Sequence, residues 1–299
     1  MMTKNDMYVT DEAKGDGWTL WLGDSCERMG EMDADSVDLS VSSPPFASLY
    51  VYSDSIRDLG NNDSRESFIE NYGFVIRELL RVTKPGRIAC VHVQQLTTTK
   101  ASDGVVGLTD FRGDVIRAYV AAGWVFHGEV TVNKNPQAQA IRTKAQSLMF
   151  VTKNRDSSMS RPALADYLLM FRKPGENAVP IKNDVSNEEW IKWAEPVWWD
   201  IRETDTLNER LGREDGDERH ICPLQLGFIE RCVRLWSNKG ELVFDPFGGI
   251  GSTVYTALKL GRRGMSIELK PSYWKASVQL VRELESKLSA PTLFGEEDA

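Results

Sequence analysis

The fold class predicted by the sequence is α/β: a doubly wound, mostly parallel sheet with helices on both faces. Three observations predict it. Strand-like and helical segments alternate through the first third of the 299-residue chain. The same alternation returns near its end. Within that second block a glycine-rich stretch lies between a strand and a helix, the usual place for a ligand loop in such folds.

The elements follow in order. Thr19 to Leu22 reads as a short strand closed by Gly23-Asp24, and Val37 to Val41 as a second strand running into Ser43-Pro44-Pro45-Phe46. Phe68, Tyr72, Val75, Leu79 and Val82 recur at helical spacing, which predicts a helix from Ser64 to Val82. Lys84-Pro85-Gly86 stops it, and the β-branched run from Arg87 to Val93 returns as a strand. A helix from Thr109 to Ala122 and a strand from Trp124 to Val132 come next. Near the end, Cys222-Pro223 opens a helix through Trp236, which Asn238-Lys239-Gly240 terminates. The strand Glu241 to Asp245, the helix Ser252 to Leu260, the strand Arg263 to Glu268 and a last helix from Pro271 complete the block.

Between Asn133 and His220 the periodicity weakens, and Pro136, Pro162, Pro174, Pro180 and Pro196 interrupt it. Two strands are expected there, Ser147 to Lys153 and Tyr167 to Arg172, together with a cluster of Trp190, Trp193, Trp198 and Trp199. The stretch reads either as an irregular insertion packed on the sheet through its tryptophans or as a recognition insertion. The second is preferred, because segments carried on a rigid scaffold are where specificity resides.

Composition narrows the class. Hydrophobic residues at 41% and charged residues at 27% are ordinary for a soluble globular protein, and the length allows an ample core. No apolar run is long enough to span a bilayer, and no basic-then-apolar start resembles a signal peptide. Cys26, Cys90, Cys222 and Cys232 are scattered without zinc spacing, which predicts a reducing, cytoplasmic setting and no metal. The net charge of −8 repels polyanions overall, so any nucleic-acid grip requires local basic patches.

Two motifs carry chemistry. The first is Phe244-Asp245-Pro246-Phe247-Gly248-Gly249-Ile250-Gly251-Ser252-Thr253. Glycines between a strand and a helix admit a ligand close to the backbone, and the helix start offers free N–H groups. Glu268 ends the following strand, where a carboxylate can accept both ribose hydroxyls. A glycine turn needed only for helix–sheet packing is the plainer reading. The GxGxxG spacing of dinucleotide loops is absent, and Phe247 suits contact with an adenine or methionine moiety.

The second motif is Ser42-Ser43-Pro44-Pro45-Phe46, directly after a strand. Consecutive prolines stiffen the backbone and remove two donors while leaving their carbonyls free to accept. An aromatic amine is a poor nucleophile because its lone pair is delocalised into the ring. Acceptors on its N–H bonds, here Ser43 Oγ and the Pro44 carbonyl, favour pyramidal nitrogen, while Phe46 stacks on the ring. The catalytic means are positioning and hydrogen bonding rather than a strong base.

Together these motifs resemble those of the amino-methylating DNA methyltransferases, which act on cytosine N4 or adenine N6. The order is similar to that of the permuted subgroup in which the Pro-Pro motif precedes the cofactor motif. Leu22-Gly23-Asp24-Ser25 resembles the family segment before the catalytic strand, and Cys222-Pro223-Leu224-Gln225 the segment opening the helix beside the cofactor, with Cys222 where His is common. Val130 to Phe150 and Asp166 to Pro174 look like segments of phage and prophage members. The resemblance implies a Rossmann-like methyltransferase fold, S-adenosylmethionine as cofactor, and duplex DNA as partner with the target base turned out of the stack. It divides the chain into a catalytic half (1–132), an inserted target-recognition region (133–220), a cofactor half (221–288) and a flexible tail (289–299).

Residue by residue, it implies catalytic roles for Ser43, Pro44, Pro45 and Phe46. Asp24 would meet the adenine and Pro223 the methionine part; Asp245, Pro246, Phe247, Gly248, Gly249, Gly251 and Ser252 form the cofactor loop, with Glu268 on the ribose. Ser43 stands where adenine enzymes more often carry Asp or Asn, which favours cytosine N4 over adenine N6. Lys134, Arg142 and Lys144 are candidate phosphate contacts, in a strip with Lys153, Arg155, Arg161, Arg172 and Lys173, although solvated surface charge accounts equally for any one of them. Methylation of a protein glutamine and a non-catalytic DNA-binding role are the other readings, and the permuted order and intact motifs weigh against both. In the tail, Leu293-Phe294 resembles peptides that dock replication proteins on the bacterial sliding clamp; folding back on the protein's own surface is the plainer alternative.

Overall fold

The turn at Asp16-Gly17 folds β1 (Asp11–Gly15) back on β2 (Trp18–Leu22), whose alternate residues Trp18, Leu20 and Leu22 are buried. The structure is a computed structural model, and it describes residues 9–46, 59, 64–143, 146–208 and 223–290. The chain continues through α1 (Ser25–Gly30), β3 (Val37–Ser42), α2 (Arg65–Val82) and β4 (Thr83–Gln94). A small hairpin, β5 (Leu96–Thr98) with β6 (Gly107–Thr109), encloses α3 (Lys100–Asp103), and α4 (Phe111–Ala121) and β7 (Val125–Val132) follow. The middle stretch holds α5 (Pro136–Thr143), α6 (Phe150–Arg155), β8 (Asp166–Arg172), α7 (Asn187–Trp193) and β9 (Val197–Trp198). The last block is α8 (Leu226–Trp236), β10 (Leu242–Asp245), α9 (Ser252–Lys259), β11 (Arg263–Glu268) and α10 (Pro271–Ser289).

Local chemistry sets these boundaries. The Ser64 hydroxyl caps α2 by accepting from the Ser67 N–H at 3.1 Å, and Phe68, Tyr72, Val75, Ile76, Leu79 and Val82 form its buried face. Each large side chain on that face contributes about 2 kcal/mol of burial. α8 begins at Leu226 with Gln225 in the cap position, three residues beyond Pro223; Cys222 lies outside the described residues.

Among the described residues the main sheet has the order β1-β2-β11-β10-β3-β4-β8-β7-β9. Strands β2, β11, β10, β3 and β4 are mutually parallel, and β8 runs antiparallel between β4 and β7. β3 is buried along its whole length, as expected of a central parallel strand covered on both faces. One face packs with α2 and α4 around Val91, Phe244 and Ile267, and the other with α8 around Val41, Cys90 and Val243. This is the doubly wound α/β architecture expected.

The middle stretch differs from expectation in one element. Ser147 to Lys153 is not a strand: Gln146–Leu148 forms a 3₁₀ turn and Phe150 opens α6. A strand needs a neighbour for its backbone groups, and among the described residues no strand lies beside this segment; local bonds such as Thr152 N–H to the Met149 carbonyl at 3.0 Å satisfy it instead. Its apolar side chains stay outside, with Phe150 80% exposed. The stretch 133–220 also gives the main sheet two strands, β8 and β9. Of the four tryptophans, Trp198 is buried and Trp193 lies against the Arg231 and Arg234 guanidiniums, whereas Trp190 and Trp199 are largely exposed. No helix among the described residues is long and apolar enough to cross a membrane. Leu293 and Phe294 lie outside the described residues.

Candidate active site

β3 and β10 run side by side, with Val243 beside Leu39 and Phe244 beside Ser40. From β3 the chain crosses to β4 on one side; from β10 it crosses to β11 on the other. Their C-terminal ends therefore open a crevice, the switch point at which doubly wound sheets bind ligands. Continuing the register by two residues sets Pro246 level with Ser42. The segment Ser43 to Phe46 and the loop Asp245 to Gly251 thus emerge together.

Two carboxylates and a serine hydroxyl hold the loop. Asp245 is buried, accepts from the Phe247 N–H at 2.9 Å, and lies 2.8 Å from the Thr253 hydroxyl, which also approaches the Val41 carbonyl at 3.2 Å. Burial pushes its carboxyl up to about 6, against the two hydrogen bonds that favour the ion. Glu268, at the end of β11, accepts from the backbone N–H groups of Gly249 and Lys270, each at 2.7 Å. Asp24 caps α1 through the N–H groups of Cys26 and Glu27, and the neighbouring Ser25 hydroxyl donates to the Pro246 carbonyl at 2.5 Å. The Gly23 N–H donates to the Glu268 carbonyl at 2.9 Å, so the exits of β2, β10 and β11 are tied to one another.

Two glycines show why the loop has its composition. A Cβ at Gly248 would sit 2.6 Å from Ser266 Oγ, so only glycine lets the loop lie this close to β11. Gly249, at φ +53°, has open space where a side chain would stand. That space lies beside the start of α9 and the Glu268 carboxylate. Phe247 is half-buried, 5.9 Å from the Tyr72 ring, and Ser252 opens α9. Pro223 is half-buried just before α8, whose Leu226 packs with Leu207, Ile250 and Tyr273.

On the β3 side, Pro44 is buried and Pro45 and Phe46 are half-buried. The Phe46 ring meets Phe111 edge-on at 6.1 Å and His92 at 5.9 Å. Ser43 Oγ is 3.0 Å from His92 Nδ1, and His92 Nε2 is 2.9 Å from Asp166 Oδ2. Lys134 Nζ reaches the same Asp166 oxygen at 2.6 Å, and Gln94 Nε2 donates to Asp166 Oδ1 at 3.0 Å. His92 is opposite Leu168 in the β4–β8 ladder, so Asp166 is its diagonal neighbour on the same face.

The sequence-based assignments meet these positions as follows. The Pro-Pro motif and the glycine-rich loop, far apart in the chain, flank one crevice, and Asp24, Pro223 and Glu268 belong to segments packed around it. Lys134, expected at phosphate, is instead held by Asp166, and its side chain is 4% exposed, leaving little of it for a phosphate to meet. Lys144 and the Arg142 side chain lie outside the described residues. Sequence reasoning misses His92, Gln94 and Asp166. A signal is present all the same: His92 interrupts the apolar run Ile88-Ala89-Cys90-Val91, and a polar ring in a buried strand needs a partner.

Comparison with known proteins assigns the fold first. The chain superposes on the crystal structure of a Thermus thermophilus protein described as a DNA modification methylase, complexed with S-adenosyl-L-methionine. The TM-score is 0.66 at 24% identity, over 88% of this chain and 93% of that one. The two chains therefore share one fold. Residues 37–279 match the N6/N4 methyltransferase model described as DNA methylase, and the chain belongs to that family. Among its relatives, the type II methyltransferase M.BglI of Bacillus subtilis is 34% identical over 112 residues, 38% of this chain and 29% of that protein. The type II methyltransferase M.MjaI of Methanocaldococcus jannaschii is 23% identical over 279 residues, 84% of this chain and 86% of that protein.

The cofactor of this family's reaction is S-adenosylmethionine, and the residues present fit it. The space over Gly249 and the carboxylates of Asp24 and Glu268 suit a nucleoside, since each carboxylate oxygen can accept more than one hydrogen bond.

Proposed function

We propose that the protein methylates the N4 amino group of cytosine in duplex DNA. The observation that carries the choice of base is Ser43, a hydroxyl at the head of the Pro-Pro motif, where adenine-directed enzymes more often carry Asp or Asn. S-adenosylmethionine supplies an electrophilic methyl group on sulfonium. The chain supplies placement: Ser43 Oγ and the Pro44 carbonyl accept from the amino group, and Phe46 stacks on the ring. A base paired in the duplex is out of reach of this crevice, so the cytosine must turn out of the stack, at a cost of a few kcal/mol that stacking and hydrogen bonding in the pocket offset.

DNA grip is assigned to the middle stretch. In α6 the exposed Phe150 stands with Lys153 and Arg155, an apolar and basic surface suited to a nucleic acid. Arg142 and Lys144 precede it in sequence and extend the same proposal. The kinship with type II methyltransferases supports a sequence-specific modification enzyme.

The test is to incubate plasmid DNA with the enzyme and S-adenosylmethionine, digest it, and identify the nucleosides by mass spectrometry. N4-methylcytosine is expected. N6-methyladenine would overturn the base assignment; C5-methylcytosine, or methylated protein with unmodified DNA, would overturn the mechanism.

A further inference from the structure

Behind the Ser43 hydroxyl stands a line of buried polar groups that neither cofactor binding nor base stacking requires. His92, Asp166 and Lys134 are each less than a tenth exposed, and they are fully engaged with one another. Burying a carboxylate, an ammonium and an imidazole costs several kcal/mol unless each is paired. The cluster ends on Ser43 Oγ at the crevice, which is where its chemistry would be felt.

The bonding order can be worked out from the carboxylate. Burial works to raise the Asp166 carboxyl, but the hydrogen bonds it accepts from His92 and Lys134 help hold the group below the ordinary carboxylate value. An ionised Asp166 only accepts, so His92 must donate from Nε2. In the neutral ring Nδ1 then carries the lone pair, and Ser43 must donate its hydroxyl proton to it across 3.0 Å. The Ser43 oxygen is left with lone pairs only, which suits it to accept from an amino group. Lys134 matters here. Its ammonium lies 2.6 Å from the same Asp166 oxygen that His92 meets, so the carboxylate is shared between a cation and the imidazole and stays an acceptor. The charged groups facing His92 among the described residues are Asp166 from β8 and Lys134 after β7; α8 presents only the Phe228 ring, edge-on at 5.4 Å.

We propose that His92, set in one tautomer by Asp166, orients the Ser43 hydroxyl and receives the proton released by amine methylation. This rests on the amino-methyltransferase reading above. The amine lone pair forms the N–C bond as the methyl's bond to sulfur breaks, with that electron pair remaining on sulfur. The nitrogen is then cationic and acidic. Its proton passes to Ser43 Oγ while the Ser43 proton passes to His92 Nδ1, and the imidazolium later releases a proton to water. Attack itself needs no base, because the neutral amine is the nucleophile. His92 and Asp166 are positioning residues that act through Ser43. The arrangement has the layout of a Ser–His–Asp triad, employed to drain a proton rather than to make a nucleophile.

The test uses single-turnover methyl transfer to duplex DNA between pH 5.5 and 9, with saturating S-adenosylmethionine. His92→Phe retains the ring volume between Phe46 and Phe228 and leaves the Asp166–Lys134 pair balanced. In the wild type the rate should fall on acidification, as a protonated His92 can no longer take a proton from Ser43. In His92→Phe it should be about 100-fold lower and flat with pH, a size typical of lost acid–base assistance. Cofactor Kd by calorimetry and KM for DNA should stay within about twofold of wild type, since neither ligand's affinity runs through His92. A variant with the wild-type rate or pH profile would overturn the proposal. Should the variant fail to fold, ¹⁵N-histidine NMR of otherwise intact protein decides, with His127 and His220 replaced so that His92 alone reports. A neutral ring protonated on Nε2 at pH 7.5 is expected, and the opposite tautomer or a standing imidazolium overturns it. If the wild type leaves DNA unmethylated, the function itself fails and the relay with it. If it methylates DNA and His92→Phe is unaltered, the relay alone fails.

Discussion

Asp245 shows how one residue of the glycine-rich loop can be at odds with stability. It is buried, and its carboxyl is pushed up to about 6 from an unfolded value near 3.8. The folded protein therefore binds a proton more tightly than the unfolded chain does between those two values. Its contribution is fully present below about 4 and is lost as pH rises through about 6, so at neutral pH the ionised group destabilises the fold. The shift corresponds to at most about 3 kcal/mol. Asp245→Asn retains an acceptor for the Phe247 N–H and a partner for Thr253. The variant should be more stable than wild type at pH 7.5, and the difference should shrink as pH falls from 7 to 4. Urea unfolding at a series of pH values measures this; a difference independent of pH would mean that Asp245 is ionised at no cost.

Elements are joined at the opposite end of the sheet by a buried charge cluster. Arg87 of β4, 1% exposed, makes paired bonds to Glu241 at 2.5 and 2.9 Å and stands 3.7 Å from Asp38 of β3. Asp38 in turn accepts from the Leu242 N–H at 2.9 Å and from Lys84 at 2.6 Å. The cluster sets the entry of β3, β4 and β10 and thereby the level at which their far ends present Ser43 and Asp245. Arg87→Met keeps the volume but strands Glu241, and should cost about 3 kcal/mol in chemical unfolding. Adding Glu241→Leu should recover more than half, because removing both partners leaves no uncompensated charge. Helices are the more local part of the design: the α2 face, Phe68 to Val82, is legible as a period because those residues are neighbours along one stretch. The run Ser147 to Lys153 reads as a strand in the sequence and is none in the structure. A short apolar segment has no decisive period, and its fate depends on whether a partner strand lies beside it.

At the scale of the molecule, a net charge of −8 has to be reconciled with a polyanionic substrate. Local concentration of cations does so, and α6 is where exposed Lys153 and Arg155 stand beside an exposed aromatic ring. Lys153→Ala/Arg155→Ala should weaken DNA binding and reduce the slope of log affinity against log salt by about 2, near 0.9 for each phosphate no longer neutralised. Fluorescence anisotropy between about 50 and 250 mM salt, with Lys239→Ala in the turn between α8 and β10 as a control, gives both numbers; an unchanged slope would move the DNA surface elsewhere. Cofactor affinity should be unaltered, since α6 packs on the two short turns that flank it rather than on the loop after β10.

By itself the sequence determined the alternation of strands and helices, the Pro-Pro motif, the glycine loop and the acidic strand end. Each is written in residues close together, where backbone geometry and side-chain period act directly. What the tertiary structure decided are the pairings. Ser43 and His92 are 49 residues apart and His92 and Asp166 are 74, and nothing local links them. Lys134, expected beside phosphate, lies instead on Asp166. These contacts depend on the register of β4 against β8, which is set only when the sheet closes and every buried charge must find its counterpart.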